Sequence, residues 1–354
     1  MSQRILHVDS GRDWRGGQRQ VFLLASAQRD RGLEPLVVTP ADSALGKRLR
    51  AAGVAVSAVR MRAEWDLNSV RRLRALMKTW KPSLVHAHDA RAHMLALAAL
   101  VGFDVPLVVT RRVPFTPKGR IKYGLRVARF IAISGAVRDA LVRGGVTDDR
   151  IDVVHSGVPT PDVARARDWR TELDLEENAV VCGLVGAMTG EKGVDAIASI
   201  AAALPADIRR HVHLVLLGGT RQRALRVGGL DVRRMGFVED IYPAMAGLDM
   251  LWHPSLAEGL GTAVLDAMAL GVPPIAFAVG GLPEIVEHET SGLLASAGDS
   301  LEFAGFVSRL VADAVLRKRL GDAGRTRALR FGVAPMVDGT RAAYDRAVAT
   351  MRQR

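Results

Sequence analysis

The chain has 354 residues, enough for two domains and too many for one comfortable hydrophobic core. With 49% hydrophobic and 24% charged residues it has the composition of a globular protein, and its single cysteine excludes an intrachain disulfide framework. The N-terminus enters a strand pattern without the apolar region of a signal peptide, and the longest apolar stretch, residues 94–103, is too short to span a bilayer. We therefore expect a cytoplasmic protein.

The formal net charge of +12 is unevenly distributed along the chain. Residues 1–150 contain 27 Lys and Arg against 12 Asp and Glu, whereas the remaining residues contain 22 and 25. The densest basic run, residues 111–129, has seven cations and no acid. It suits an anionic membrane surface, where each nearby cation contributes about 1 kcal/mol; a solvated loop is the alternative, and no nucleic-acid-binding signature is found. The candidate acceptor- or membrane-facing residues are Arg111, Arg112, Lys118, Arg120 and Lys122.

Short strand-like runs alternate with helical patterns through the first half of the chain. The predicted strands are 5–9, 36–39, 54–59, 83–86, 106–110 and 130–134. The predicted helices between them are 18–31, 43–52, 67–80, 93–101 and 135–143. This alternation is typical of βαβ units on a parallel sheet, so we predict a Rossmann-like domain over residues 1–163.

The alternation stops at the Gly- and Pro-containing turn 157–161 and the charged stretch 165–177, which we interpret as a linker. It restarts with predicted strands at 179–185, 213–217, 232–235, 250–253, 274–278 and 292–295. The predicted helices are 194–204, 241–247, 262–270, 283–286 and a helical region from residue 300 onward. We predict a second Rossmann-like domain over residues 164–334 and a C-terminal helix, 335–354, that packs back on the first domain.

Two features of the first half are candidates for ligand binding. His86 and His88 close a predicted strand and project to one face, because alternate residues of a strand do so. A metal centre needs more ligands, and no cysteine or carboxylate cluster accompanies them, so we expect no bound metal. His88 is better read as a hydrogen-bonding group at a strand end, with a structural histidine as the alternative. Gly16 and Gly17 precede the first long helix, whose N–H groups can approach a phosphate; a plain flexible loop is the alternative.

Residues 253–286 carry the most informative pattern of the chain. Glu258 lies in a short polar loop after a strand, and Gly259 and Gly261 lead into a helix. In an open parallel sheet such loops lie at the carboxyl ends of the strands, where ligands bind. Glycines and helix N–H groups suit a phosphate, and a carboxylate suits sugar or ribose hydroxyls. A phosphate together with a polyol indicates a nucleotide sugar.

Further candidates follow other strands of the second half. Lys192, in the turn 186–193, can reach a pyrophosphate and stabilise a departing nucleoside diphosphate; an exposed turn lysine is the alternative. The backbone of residues 236–240, which follow another strand, is placed to donate hydrogen bonds to a flat base or to accept them from it. Asp266 is about one turn into the helix that follows Glu258, so both carboxylates can face one edge of a ligand.

These motifs together resemble glycosyltransferase family 4, whose members are retaining enzymes of the two-domain GT-B architecture. The resemblance covers nearly the whole chain. The matching segments are GGQRQV, LVHAHD, FIAISGAVRDALV, VVHSGVP, VGAMTGEKG, GFVED, PSLAEGLGTAVLDAMALGVPPIAF and VGGLPEIV. The resemblance implies an α/β fold of two Rossmann-like domains with parallel sheets facing a central cleft.

The resemblance also implies a role for each motif residue. Lys192 would bind the pyrophosphate, while His88 and Glu258 would lie at the transferred sugar, which makes these three the candidate catalytic residues. Asp266 would hold the ribose hydroxyls. The other implied donor-binding residues are Gly16, Gly17, Phe237, Val238, Gly259, Leu260, Gly261 and Thr262.

The chain departs from the family pattern at three places. The family's Glu-x7-Glu reads here as Glu258-x7-Asp266, and its frequent phosphate-binding arginine is Ala187. The usual Asn-Gly is Ser156-Gly157. We expect an arginine elsewhere, with Arg111 as the candidate, to supply the missing charge.

The sequence therefore predicts a metal-independent, retaining glycosyltransferase without a cofactor. Its substrate would be a nucleoside diphosphate sugar, with UDP as the favoured nucleotide. The expected acceptor is a cell-envelope glycan or lipid-linked saccharide of the lipopolysaccharide or glycolipid type, at the inner face of the cytoplasmic membrane. A nucleotide-sugar-binding GT-B protein without transferase activity and a GT-B epimerase are the alternatives.

Overall fold

A computed structural model describes residues 3–117, 123–124, 126–162, 165–222 and 224–352. The chain divides into two compact units. The first unit comprises Met1–Gly157 and Val333–Arg354, and the second comprises Val158–Gly332. The boundaries between the units lie at 157/158 and 332/333. They are six and two residues before the predicted boundaries at 163/164 and 334/335.

The first unit contains a seven-stranded sheet whose pairings, among the described residues, are all parallel. Its strands are β1 (Arg4–Val8), β2 (Glu34–Thr39), β3 (Ala55–Ala58), β4 (Leu84–Ala87), β5 (Leu107–Arg111), β6 (Val127–Ala132) and β7 (Ile151–Val153). The spatial order β3-β2-β1-β4-β5-β6-β7 reverses its direction between β1 and β4. At such a switch point a crevice opens outside the carboxyl ends of the strands, where ligands bind.

The helices of this sheet differ in how they begin. They are α1 (Gly16–Asp30), α2 (Ala44–Ala51), α3 (Leu67–Trp80), α4 (Ala90–Ala99) and α5 (Gly135–Arg143). The side chains that precede α2 to α5 accept a hydrogen bond from a backbone N–H of the first turn, which satisfies groups that a helix leaves unpaired. In contrast, α1 follows Arg15, whose side chain makes no such bond. The N-terminus of α1 therefore lacks a side-chain cap.

The second unit is built in the same way around a second seven-stranded sheet. Its strands are β8 (Val180–Val185), β9 (Val212–Leu217), β10 (Leu225–Val227), β11 (Leu230–Gly236), β12 (Met250–His253), β13 (Pro274–Phe277) and β14 (Leu293–Ala295). The order is β10-β11-β9-β8-β12-β13-β14, and the edge strand β10 is antiparallel to β11, while the other described pairings are parallel. The switch point lies between β8 and β12.

The remaining helices cover the second sheet, except the last. They are α6 (Trp169–Glu172), α7 (Ala196–Ala203), α8 (Ala206–Arg209), α9 (Ile241–Ala246), α10 (Thr262–Leu270), α11 (Leu282–Ile285), α12 (Ser300–Ala312), α13 (Ala314–Ala328) and α14 (Val333–Arg352). Helix α14 belongs to the first unit, where Val337 and Tyr344 are buried in one hydrophobic cluster with Ile5 of β1 and Leu84 of β4. Among the described helices, none combines the length and the apolar character needed to cross a membrane.

The interpretation of residues 165–177 as a linker is wrong. Trp169 is 1% exposed, and its indole N–H donates to the carbonyl of Ala244 at 2.8 Å. Arg170 pairs with Asp249 at 2.7 Å. One buried tryptophan therefore anchors a segment whose other residues are mostly charged. Because of those charges, the sequence pattern did not indicate a buried residue there.

Candidate active site

The switch point of the second sheet brings Lys192, Glu258 and His253 together. Lys192 follows β8, whereas His253 ends β12 and Glu258 lies in the loop after it. Lys192 Nζ donates to Glu258 Oε2 at 2.6 Å, and His253 Nε2 lies 3.0 Å from the same oxygen. The Glu258 side chain is 12% exposed, against 30% for Lys192. The carboxylate thus contacts two nitrogen groups, while the Lys192 side chain stays partly exposed.

The protonation of Glu258 follows from these two contacts. Burial alone would raise the pKa of Glu258, but the hydrogen bonds and charges of His253 and Lys192 outweigh burial and lower the pKa to about 2. Glu258 is therefore an ionised carboxylate at neutral pH, and it can only accept hydrogen bonds. It can position Lys192 and accept hydrogen bonds from sugar hydroxyls, but it has no proton to donate.

Backbone packing that only glycine allows holds the loops of this site together. Gly193 has φ +75°, and a Cβ there would lie 1.8 Å from the carbonyl oxygen of Pro254. Gly280 has φ +56°, and a Cβ there would lie 1.7 Å from the carbonyl oxygen of Glu258. Both positions combine a left-handed backbone with a direct backbone contact. A larger residue would therefore be strained by its φ and would also clash with the neighbouring carbonyl. The loops after β8, β12 and β13 are consequently fixed against one another.

Helix α10 begins beside the Glu258 loop, at the switch point of the second sheet. Its first residue is Thr262, and the residue before it, Gly261, has φ +96° and offers no side-chain cap. The first N–H groups of a helix have no partner within the helix and carry partial positive charge. Gly259, Leu260 and Gly261 are buried beside Glu258, and Thr262 is partly exposed. This arrangement is that of an anion-binding helix start.

The predicted base and ribose residues lie on neighbouring elements of the same unit. Phe237, directly after β11, is 63% exposed, and Val238 is half-buried. Asp266 of α10 is 4% exposed and accepts a hydrogen bond from the Tyr242 hydroxyl at 3.2 Å. The exposed ring offers a stacking surface, while the acid is already engaged by a neighbouring helix.

The switch point of the first sheet carries two carboxylates and an arginine. Asp89 follows β4 and accepts hydrogen bonds from Ser10, at 2.6 Å from N and 2.7 Å from Oγ. Burial, with the nearby charge of Asp89, raises the pKa of Asp9 to about 6. Burial lowers the pKa of Arg112 to about 10, against the opposing charges of Asp9 and Asp89. Arg112 also lies beside the start of α1, since a Cβ on Gly17 would be 3.6 Å from its Cδ.

The predicted basic residues therefore separate into distinct groups. Arg111, the candidate for the missing phosphate-binding charge, donates to the Tyr123 hydroxyl at 2.8 Å and to the carbonyl of Phe115 at 2.6 Å. It is engaged within its own loop, whereas Arg112 reaches the carboxyl ends of the strands. Three further predicted residues lie outside the described residues: Lys118, Arg120 and Lys122.

His88 belongs to a cluster of three buried histidines, with His86 and His7. One nitrogen from each ring lies within 4.8 Å of the others, a spacing that a metal ion could use. However, His86 Nδ1 lies 2.7 Å from the Tyr344 hydroxyl and its Nε2 lies 2.7 Å from Thr110 Oγ1. Because hydrogen bonds occupy both nitrogens of His86, the cluster is better suited to proton placement than to a metal, and the absence of a metal stays a prediction.

Sequence reasoning missed His253 and His7 as site residues. His253 ends the strand before the glycine loop, so its position next to Glu258 was a usable signal. His7 is paired in register with His86 on the adjacent strand. That neighbour relation depends on strand order, which the sequence pattern does not give.

Two units, each built around a seven-stranded and mainly parallel sheet, match the architecture of GT-B glycosyltransferases. The model "Glycosyltransferase Family 4" matches residues 14–161, and "Glycosyl transferases group 1" matches residues 179–313. The chain belongs to glycosyltransferase family 4, as the sequence motifs predicted.

Similar proteins agree with this assignment. A D-inositol 3-phosphate glycosyltransferase of Saccharomonospora viridis is 29% identical over 300 residues, covering 77% of this chain and 67% of that protein. A 2-deoxystreptamine N-acetyl-D-glucosaminyltransferase of Streptomyces fradiae is 29% identical over 351 residues, covering 85% of this chain and 82% of that protein. The crystal structure of Anabaena Alr3699/HepE in complex with UDP and glucose has a TM-score of 0.82 at 22% identity, covering 96% and 98%. The predicted fold class and the prediction of a glycosyltransferase are confirmed.

Proposed function

We propose that the protein transfers a sugar from a nucleoside diphosphate donor, with UDP as the favoured nucleotide, to an anionic acceptor, with retention of configuration and without a metal. The observation that carries this proposal is the Lys192–Glu258 pair at the second switch point, beside the start of α10. The similarity to a structure that contains UDP and glucose supports the choice of nucleotide.

Breaking the bond between sugar and phosphate leaves negative charge on the departing diphosphate. Lys192, whose side chain is 30% exposed, supplies a positive charge. The first N–H groups of α10 add a second source of stabilisation. Glu258 orients Lys192 and accepts hydrogen bonds from sugar hydroxyls, which charge makes stronger than neutral ones. These groups would provide the charge stabilisation that a divalent ion provides in other transferases.

Retention follows if the acceptor hydroxyl attacks from the face that the diphosphate leaves. The donor phosphate then takes the acceptor proton, so the protein needs no separate base at that point. Glu258 is held by two nitrogen groups on one oxygen, which suits positioning and not nucleophilic attack.

An arginine-lined cavity in the first unit supports an anionic acceptor. It has a volume of about 680 Å³ and lies where β2 and β3 end. Asp66, the one acid among the described residues of its lining, serves as the N-cap of α3 and accepts a hydrogen bond from Ser69 N at 3.2 Å. The basic residues of the lining are Arg60, Arg62, Arg71 and Arg72.

This cavity favours a small phosphorylated polyol as acceptor over the neutral part of a lipid-linked glycan. Guanidinium groups bind phosphate through paired hydrogen bonds, and four of them lie around one cavity. The relative from Saccharomonospora viridis, a D-inositol 3-phosphate glycosyltransferase, supports the same choice.

The donor site is tested by nucleoside diphosphate release from a panel of UDP, GDP and ADP sugars. Lys192→Met should reduce kcat about 100-fold, because a preorganised charge at the leaving group is lost. The matched control is Lys318→Met, which removes a lysine that is 77% exposed on the same unit and should leave kcat unchanged. Equal turnover by Lys192→Met and wild type would refute the site.

The finer parts of the proposal have separate readouts. Arg71→Ala should raise the KM for a phosphorylated cyclitol and leave the KM for the donor unchanged. Turnover of an undecaprenyl-linked glycan, with none of inositol phosphates or sugar phosphates, would overturn the acceptor class. NMR of the product should show the donor's anomeric configuration, and inversion would contradict the retaining mechanism. EDTA should not change the rate, and loss of activity in EDTA would contradict catalysis without a metal.

A further inference from the structure

A chain of buried side chains in the first unit connects Gln28 of α1 to His88. The Oε1 atom of Gln28 lies 2.8 Å from His7 Nε2. His7 Nδ1 lies 2.9 Å from His88 Nε2. The three residues are between 0% and 3% exposed, so water does not compete for these bonds. The order is an amide, an imidazole and a second imidazole.

The positions of the protons follow from the donor and acceptor chemistry of these groups. An amide oxygen can only accept, so His7 Nε2 must donate to Gln28. Burial lowers the pKa of His7 to about 4 and that of His88 well below its ordinary value, which makes both rings neutral at pH 7. A neutral imidazole has one N–H, so His7 Nδ1 accepts and His88 Nε2 must donate. His88 is left with a lone pair on Nδ1.

The orientation of the Gln28 amide agrees with a second branch of the network. Gln28 Nε2 donates to the Tyr344 hydroxyl oxygen at 3.3 Å. The Tyr344 hydroxyl lies 2.7 Å from His86 Nδ1, so its hydrogen is available for that nitrogen. His86 Nε2 then donates to Thr110 Oγ1 at 2.7 Å. One amide orientation therefore satisfies both branches without a conflict between donors.

His88 Nδ1 is buried and has no hydrogen-bond partner in the described part of the chain. We propose that Gln28 and His7 are positioning residues that hold His88 as the Nε2–H tautomer, so that its Nδ1 lone pair accepts a hydrogen bond from a substrate hydroxyl. The identity of that hydroxyl rests on the proposed transferase function, whereas the tautomer does not depend on it. His88 would contact the substrate, and the other two residues would act through it.

The tautomer can be measured directly on the full chain. Long-range ¹H–¹⁵N NMR of histidine-labelled protein distinguishes protonated from unprotonated ring nitrogens, and His88→Asn assigns the resonances among the nine histidines. We expect the Nε2–H form of His88 in wild type at pH 7. In Gln28→Met the acceptor for His7 is lost, so His88 should become a mixture of tautomers and kcat should fall about tenfold.

A matched control lies on the same helix. Gln20 is 2% exposed, as is Gln28, but its amide bonds to Gly157, with Nε2 donating to O at 2.8 Å and Oε1 accepting from N at 2.9 Å. Gln20→Met should therefore destabilise the fold to a similar extent and leave the His88 tautomer unchanged. A purely structural role for Gln28 would make the two variants alike.

Gln28→Glu gives a pH readout with a defined sign. It keeps an acceptor for His7 Nε2 and retains the Nε2–H form of His88, but its carboxylate favours protonated His7 and raises the pKa of that ring. Protonated His7 has no lone pair on Nδ1 to accept the hydrogen bond from His88 Nε2–H. The acidic limb of the kcat/KM profile should therefore move to higher pH. The titratable groups around His7 are His86, His88 and Tyr344, with Arg112 beyond them.

Two results would overturn the inference. The Nδ1–H form of His88 in wild type would do so, as would a Gln28→Met protein whose His88 tautomer and kcat match those of Gln20→Met. Failure of the proposed function is separate: wild type would turn over no nucleotide sugar while the tautomer is still as inferred.

Discussion

Replacing Glu258 with glutamine should remove a large, pH-dependent stabilisation from the second unit. The pKa of Glu258 is about 2 in the folded chain against an ordinary value of 4.5. That difference corresponds to about 3 kcal/mol, because each factor of ten in a protonation equilibrium is worth 1.36 kcal/mol. The side chain is only 12% exposed, so solvent screening reduces this value little.

The sign of the pH dependence is fixed by the direction of the shift. Since the folded pKa lies below the unfolded one, the stabilisation is fully present above about pH 5 and is lost as the pH falls through 4.5 toward 2. The difference in unfolding free energy between wild type and Glu258→Gln should be about 3 kcal/mol at pH 7 and roughly half of that at pH 3.

The assay must report on the second unit alone, because a chain of two units need not unfold in one step. Urea unfolding followed by ¹⁹F NMR of fluorotryptophan resolves the five tryptophans, of which Trp169 and Trp252 lie in the second unit. The control is Glu289→Gln, which removes a carboxylate that is 43% exposed and paired with Arg309, and should cost under about 1 kcal/mol. Equal losses for the two variants, or a Glu258→Gln effect that does not change with pH, would refute the reasoning.

Two further substitutions, the first with a matched control, test the packing of the donor site. Gly280→Ala should reduce the thermal shift induced by UDP and destabilise the unit by more than about 2 kcal/mol, because its Cβ would meet the Glu258 carbonyl at 1.7 Å. Its control is Gly298→Ala, at φ +80°, where no atom of the described residues lies within 4 Å of the added Cβ. The control should cost only about 1 kcal/mol and keep the thermal shift. Asp266→Glu should raise the donor KM, because the extra methylene enters a site that is 4% exposed and bonded to Tyr242; a lower KM would show a pocket that accepts the family's longer acid.

The fold was predictable because strand and helix periods alternate along both halves of the chain. Strands β7 and β10 were missed because each has three residues, too few to show a period of two, with a charged residue in the middle. The equally short β14 is an apolar run and was predicted. Trp169 was missed for a different reason, since a single apolar anchor among charges has no period. Sequence periodicity thus finds elements that bury a face along their length, and it overlooks those fixed by one side chain.

The candidate site was predictable residue by residue, but not as an assembly. Lys192 and Glu258 were each expected after a strand, while their 2.6 Å contact exists because β8 lies beside β12. His7 lies beside His86 because β1 is the neighbour of β4, although 79 residues separate them. Arg111 was expected to supply the missing phosphate-binding charge, yet it donates to Tyr123 and Phe115 in its own loop. Its neighbour Arg112 lies near Asp9 and Asp89 at the carboxyl ends of the strands. Contacts of this sort depend on strand order and on side-chain direction, which local patterns do not encode.

The two switch points use burial in opposite ways, and each use suits a different reacting group. At the second sheet, two nitrogen groups outweigh burial and keep Glu258 ionised, so that a positively charged lysine is held where a diphosphate would leave. At the first sheet, burial prevails and keeps the histidines neutral, so that proton positions are set by hydrogen bonds to an amide. A departing anion is stabilised by fixed charge, whereas a neutral hydroxyl is oriented by a fixed lone pair. The two environments therefore suit two different groups, a departing anion and a neutral hydroxyl, and a single pocket of one polarity would suit only one of them.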